Sequence, residues 1–267
     1  MTKPSQLFTA IILAGVRPDG DPVAEAAGVA SKAFIAVGGK PMVLRVLDAL
    51  EASPQIGTCI LCGPSPKSIE RQPELKARIA EGRLKYVAAH STPSLSTHHV
   101  LQSLSDNSPV LVTTADHALL TTPIIDYFCN GARRAKCDVV VGLASYEDVI
   151  SAFPETRRTA IKFTDGSYCG CNLFGFLNPQ AYRAAQFWRQ IEDKRKSPLK
   201  MIRMLGWWAV LRYFSGKMSL NEALGHLSKR MGLQAGAVML PFPEAAVDVD
   251  TVNDLKLVQS LVAKQNL

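Results

Sequence analysis

Three stretches of this 267-residue chain hold side chains that could manage phosphate charge. The first is residues 13–42, LAGVRPDGDPVAEAAGVASKAFIAVGGKPM. Its glycines let backbone N–H groups approach a ligand closely, and Arg17 and Lys32 offer fixed cations. A loop this long is uncommon unless it is functional or disordered. The second is PVLVTTADHALLTTPIIDYF, 109–128, where an apolar run delivers Asp116 to its carboxyl end. A carboxylate there suits Mg²⁺, a hard ion that takes one or two carboxylates and fills its shell with phosphate oxygens. It suits a loop cap equally well. The third is AAVDVDTVNDLKLV, 245–258. Alternation in AVDVD predicts a strand with Asp248 and Asp250 on one face, followed by a helix from Thr251. Asp250 either completes a metal site or helps cap that helix.

These residues need elements to carry them. Apolar runs predict strands near 8–14, 58–62, 84–89, 109–114, 138–144, 160–164, 169–176, 234–240 and 245–249. Helical patterns lie near 41–52, 66–80, 96–105, 121–135, 145–152, 179–195, 199–214, 219–231 and 251–264. Short Val-, Ile- and Leu-rich strands between helices imply βαβ units and a mostly parallel sheet. In such a sheet the ligand sits beyond the carboxyl ends of the strands. That singles out the loops after Ala14, Cys62, Ala89 and Thr114. One α/β core over 1–267 is expected, with no internal repeat.

Composition narrows the classes. Apolar residues are 47% and charged residues 20% of the chain, which excludes wholesale disorder. The apolar run from Leu7 to Ala14 is too short to span a membrane and lacks a cleavage pattern, so the expected compartment is the cytoplasm. The net charge of +7 fits nucleic acid, a membrane surface or a phosphate pocket. No RNA-binding or helix-turn-helix signature accompanies it, so nucleic acid is not expected. Cys59 and Cys62 are three apart on a strand and face opposite sides, so they cannot share a metal. Cys169 and Cys171 share a face, but no second ligand pair is apparent. All six cysteines read as buried free thiols.

LAG-x-R, a variable loop, a Lys before an apolar strand and then GGKPM with a helix resemble the signature region of GT-A-type nucleotidyltransferases. Within that class the chain resembles the MobA-like NTP transferases, with the cytidylyltransferases of isoprenoid and sugar metabolism behind them. The resemblance implies a three-layer Rossmann-like GT-A fold with a mostly parallel mixed sheet, plus a helical insertion over about 179–231. It implies a loop that wraps a triphosphate at Leu13, Ala14 and Gly15, with Arg17 and Lys32 stabilising charge during attack on the α-phosphorus. It implies Mg²⁺ on Asp116 and Asp250, with Asp248 as the alternative. HSTPSLSTHHVLQSL, 90–104, is similar to the segment touching base and ribose, which nominates Ser94, Ser96 and Thr97; these residues suit helix capping too. Gly63 and Pro64 would border the base. The sequence departs from the family in Val16, in the acidic Asp19, Asp21 and Glu25, and in His117-Ala118 where a Pro is usual.

For an acceptor phosphate, Arg157, Arg158 and Lys162 are candidates, since Arg binds phosphate bidentately, and Asn172 could orient the acceptor. Each could equally be an ordinary surface or strand-edge polar group. The expected reaction moves a nucleotidyl group from CTP or GTP to a phosphorylated acceptor and releases pyrophosphate. Two other classes stay open: a GT-A glycosyltransferase using Asp248-x-Asp250, and a non-catalytic nucleotide-binding or membrane-associated protein. The apolar, Lys- and Arg-studded stretch around 198–217 suits a roof over the acceptor, a homodimer face or a membrane-surface contact.

Overall fold

A computed structural model describes residues 6–16, 20–105, 107–156, 158–194 and 206–265. In chain order the strands are β1 (Phe8–Leu13), β2 (Ala36–Val37), β3 (Lys40–Pro41), β4 (Ile56–Cys62), β5 (Leu84–Val87), β6 (Val110–Thr114), β7 (Val139–Ser145), β8 (Ile161–Phe163), β9 (Gly166–Phe176) and β10 (Ala235–Met239). The helices are α1 (Pro22–Ala26), α2 (Met42–Glu51), α3 (Pro66–Ile69), α4 (Pro73–Ala80), α5 (Pro93–Ser103), α6 (Thr122–Arg134), α7 (Tyr146–Ala152), α8 (Tyr182–Lys194), α9 (Trp207–Phe214), α10 (Leu220–Met231) and α11 (Val252–Gln265).

The main sheet has eight strands in the order β10-β7-β9-β6-β1-β4-β5, with β8 paired to β9. β9 runs antiparallel to β6 and β7, and the β10–β7, β6–β1, β1–β4 and β4–β5 pairs are parallel. Helices cover both faces. Ile12, Leu61 and Leu111 join α2 and α6 residues in one apolar core, while Ile11, Ile60 and Val112 join α5 and α8 residues in the other. Neighbouring residues thus go to opposite sides, as the two-residue period of a strand requires. Cys59 and Cys62 divide in the same way, and all six thiols are free. Burial pushes Cys59 up to about 12 and Cys62 up to about 11, which leaves them inert.

Three expectations from sequence change. The 66–80 helix is two helices, because Pro73 disfavours a helical residue before it and Gln72 is extended at φ −116°. The 13–42 loop is partly ordered: Asp21 caps α1, a 3₁₀ turn spans Lys32–Phe34, and Gly38-Gly39 turn the β2–β3 hairpin at φ 57° and 75°. The 245–249 segment is no strand; a 3₁₀ turn at Pro243–Ala246 leads into irregular backbone. Among the described residues, those between β9 and β10 form α8, α9 and α10. No described helix is long and apolar enough to cross a membrane.

Phe128 on α6 is fully buried, and it meets the sheet where Gly142 and Gly175 leave room. A Cβ on either glycine would lie 3.4 or 3.5 Å from its ring. Removing the ring leaves a cavity that the sheet backbone cannot collapse to fill. Phe128→Ala is therefore expected to lower the unfolding free energy by about 3–5 kcal/mol in urea titration.

Candidate active site

Lys32 opens the 3₁₀ turn that Ser31 caps by accepting from the Ala33 N–H, and buried Ala33 and Phe34 anchor it. Its ammonium lies 2.6 Å from Asp116 Oδ2 and 3.0 Å from Asp250 Oδ1. Two carboxylates 134 positions apart thus meet one cation at the carboxyl edge of the sheet. Burial alone would lower the Lys32 pKa, but Asp116 and then Asp250 outweigh it and hold the group above its ordinary value.

Asp116 follows the last residues of β6, where Ala115 N–H continues the parallel ladder to Leu13 C=O at 2.9 Å. Arg45 Nε donates to Ala118 C=O and steadies the turn beyond it. The Val249 N–H donates to Asp116 C=O at 3.2 Å, joining the C-terminal segment directly to this loop. Beneath the charges, Val23, Ile35, Val37, Met42, Ala118, Leu119, Val247 and Val249 pack with α11 residues Val258 and Val262 in one apolar cluster. The next residue after Asp116, His117, is 1% exposed, and burial drives its pKa down to about 4, so it sits neutral in the packing.

Asp250 is half exposed, and its position is fixed through its neighbours. Asp254 Oδ2 accepts from Asp250 N–H at 3.3 Å and from Thr251 N–H at 2.8 Å. Asp254 Oδ1 accepts from Arg158 Nη2 at 2.8 Å. The same guanidinium donates to Asp248 C=O at 2.9 Å, and its Nη1 pairs with Asp248 Oδ1. Asn172 Nδ2 donates to Asp248 Oδ2 at 2.7 Å. Asn172 reaches it from a left-handed backbone, φ 48°, near the irregularity in the β7–β9 register. Burial, then the charges of Asp250 and Asp116, push the Asp248 carboxyl up against the pull of Arg158 and Asn172. Both Asp248 oxygens are therefore engaged within the protein, which leaves Asp250 as the carboxylate facing Lys32.

The remaining sequence candidates divide. Ala14, Gly15 and Gly63 meet where β1, β4 and β5 end; a Cβ on Gly63 would lie 3.0 Å from Ala89 Cβ and 3.1 Å from Ala14 O. Gly63, at φ 78°, is thus glycine for two reasons. Leu13 is the last residue of β1 beside them. Ser94 does not open onto that corner: its hydroxyl is hydrogen-bonded to Glu192 on α8. Ser96 Oγ accepts from His90 N–H and donates to Thr92 C=O. Thr97 is fully buried, and its hydroxyl has no partner among the described residues. The helix cap is Thr92, which accepts from Leu95 N–H. Arg158 is not an exposed phosphate clamp. Its side chain is 8% exposed and engages Asp248, Asp254 and Thr156. Lys162 is exposed on β8. Arg17 and Arg157 lie outside the described residues. Sequence reasoning passed over Asp254 and Thr156 as parts of the site; no spacing signal links them to Arg158.

The donor set fits Mg²⁺. Asp116 Oδ1 is buried with no hydrogen-bond partner among the described residues, and Asp250 brings a second carboxylate beside it. Among the described residues no group of three or more His, Cys, Asp or Glu forms a full metal cage. A two-carboxylate half-shell matches an ion that keeps water and phosphate oxygens.

Residues 10–232 match the model of the MobA-like NTP transferase domain. The chain belongs to that family. Among solved structures, a hypothetical transferase from Thermus thermophilus is 28% identical with a TM-score of 0.78, covering 93% of this chain and 99% of that one. The 4-diphosphocytidyl-2C-methyl-D-erythritol synthase of Anaerococcus prevotii shares the fold at 14% identity and a TM-score of 0.56, with 96% of each chain covered. A CMP:2-keto-3-deoxy-manno-octonic acid synthetase complexed with CTP does so at 12% and 0.57, covering 98% of this chain and 100% of that one. No curated protein matches the chain.

Arg158 and Lys162 are four residues apart and should behave oppositely. Arg158→Ala leaves Asp248 and Asp254 without their buried counter-charge and should cost about 3–5 kcal/mol. Lys162→Ala, at an exposed site, should change stability by less than about 0.5 kcal/mol. Urea denaturation of the two variants checks the contrast.

Proposed function

We propose that the protein transfers a nucleotidyl group from CTP or GTP to a phosphorylated small-molecule acceptor, in a Mg²⁺-dependent reaction that releases pyrophosphate. The observation that carries this reading is the convergence of Asp116 and Asp250 on the Lys32 ammonium at the carboxyl edge of a nucleotidyltransferase-type sheet. That edge is where open α/β folds bind ligands.

An acceptor phosphate oxygen attacks the α-phosphorus in line, the bond to the bridging oxygen of the β-phosphate breaks, and pyrophosphate departs. No general base is needed, because the acceptor phosphate is already ionised. Lys32 stabilises the charge that develops on the oxygens of the transferred group, in a site where positioning does most of the work. Its two carboxylate partners keep it protonated and aim it. Arg17 is the second cation in this scheme. Asp116 and Asp250 would hold Mg²⁺, which when bound neutralises phosphate charge and orients the donor. The Ala14, Gly15 and Gly63 corner receives the nucleotide. Lys162 and Arg157 stand for the acceptor phosphate, and Asn172 acts indirectly by holding Asp248.

Lys32→Ala and Asp116→Ala should each lower pyrophosphate release by at least about 10²–10³-fold, the cost of removing one transition-state stabiliser. Their thermal midpoints should remain cooperative, and chelation of Mg²⁺ should silence the wild type. A ligand at 100 times its Kd should add about 2.7 kcal/mol of stability, which ranks CTP, GTP, ATP and UTP without knowledge of the acceptor. Wild-type turnover from either variant overturns the scheme.

A further inference from the structure

Helix α9, WWAVLRYF, turns its most apolar side chains to solvent. Trp207 is 66% exposed, Trp208 55%, Leu211 51% and Phe214 81%. Trp207, Leu211 and Phe214 recur at i, i+4 and i+7, so they form one stripe, with Trp208 beside it. The opposite side attaches the helix to the body. Tyr213 packs edge-on against Phe163 of β8, ring centroids 5.8 Å apart. Arg212 donates to Lys217 C=O at 2.7 Å and pairs with Glu222 of α10 at 2.8 Å. The hairpin below is tied to the segment after α9 by Thr164 N–H to Met218 C=O and by Leu220 N–H to Asp165 Oδ1. The helix is thus presented apolar side out, and no residue of it is buried.

Charge in the surrounding sequence says what the helix suits, and the Arg230 guanidinium of α10 lies beside its start at Gly206. Residues 183–217 contain nine of the chain's 30 Lys and Arg but only two of its 23 Asp and Glu. That stretch accounts for the whole net charge of +7, and the rest of the sequence is balanced at 21 of each sign. Exposed Trp and Phe on a short helix within a strongly basic stretch match the boundary of an anionic bilayer, where indole rings settle at headgroup level. A second copy is a poorer occupant, since it would bring another +7 against the first. An eight-residue helix is also only about 12 Å long, too little for the roughly 800 Å² per partner of a stable interface.

We infer that α9 is a peripheral membrane-docking helix that inserts Trp207, Trp208, Leu211 and Phe214 into the headgroup region of an anionic bilayer. The inference is independent of the catalytic reading. Its platform, the β8–β9 hairpin, extends past Ser145 at the carboxyl end of β7, so docking holds the bilayer on the side of the sheet that carries Lys32.

The test is co-sedimentation of the full chain with vesicles of phosphatidylcholine alone and of phosphatidylcholine with phosphatidylglycerol, alongside tryptophan emission. The protein should pellet with the phosphatidylglycerol vesicles, shift its emission to the blue, and dissociate near 1 M salt, where the Debye length is about 3 Å. Trp207→Ser with Phe214→Ser should lower partitioning at least about tenfold while the thermal midpoint and pyrophosphate release in solution stay unchanged. Failure to pellet with either vesicle at low salt overturns the inference. So does a dimer in light scattering that the same double variant dissolves, or binding to single-stranded RNA that those vesicles do not compete away. None of these outcomes bears on turnover.

Discussion

The site depends on one ammonium held between two carboxylates. Lys32 is largely removed from water, and Asp116 and Asp250 would repel each other if brought together alone. Each charge makes the others tolerable, so the three can be assembled only as a set. The arrangement also suits an exchange of partners. On the catalytic reading, Lys32 passes from carboxylate oxygen to phosphate oxygen and is never left bare. Burying a lone lysine to await an anion would instead have lowered its pKa and discharged it.

Asp250 is the least buried of the three, so something else must fix it. The guanidinium of Arg158 grips the chain on both sides, at Asp248 and at Asp254, and Asp254 in turn accepts from the Asp250 and Thr251 N–H groups. A side chain half in water is thereby aimed by a buried network two and four residues away. Such a clamp works because removing any member strands a buried charge. It also explains why the segment is not a strand. Its backbone polar groups go to Asp116 C=O and to side chains, not to a neighbouring ladder.

What the sequence made legible follows from which forces are local. The Val- and Ile-rich runs became strands because a strand buried on both faces has little other composition open to it. In AVDVD, Val247 and Val249 join the apolar cluster while Asp248 and Asp250 turn to Arg158 and Lys32, yet strand pairing depends on a partner that no alternation reveals. The break at Gln72 was local and readable from Pro73. Arg158 was different: whether an arginine meets a ligand or two carboxylates from ninety residues away is decided by the fold alone. Ser94 and Ser96 failed to reveal themselves for the same reason, since Glu192 and the His90 backbone are their partners. Asp116, Asp250 and Lys32 meet across the fold, a long-range pairing that resemblance nominates and spacing cannot.

The family match ends at residue 232, whereas the ion triad is completed at residue 250. The C-terminal segment is nonetheless built into the site at every level. Its backbone donates to Asp116 C=O, its valines fill the cluster beneath Lys32, and α11 contributes Val258 and Val262 to the same cluster. Apolar packing of this kind is undemanding about residue identity, so its sequence signal is faint. Its geometric consequence is not faint, because displacement of α11 would draw Asp250 away from Lys32 and leave Asp116 to hold the cation alone. The edge of the sheet becomes a three-charge site only when the last helix of the described chain is packed against the first loop.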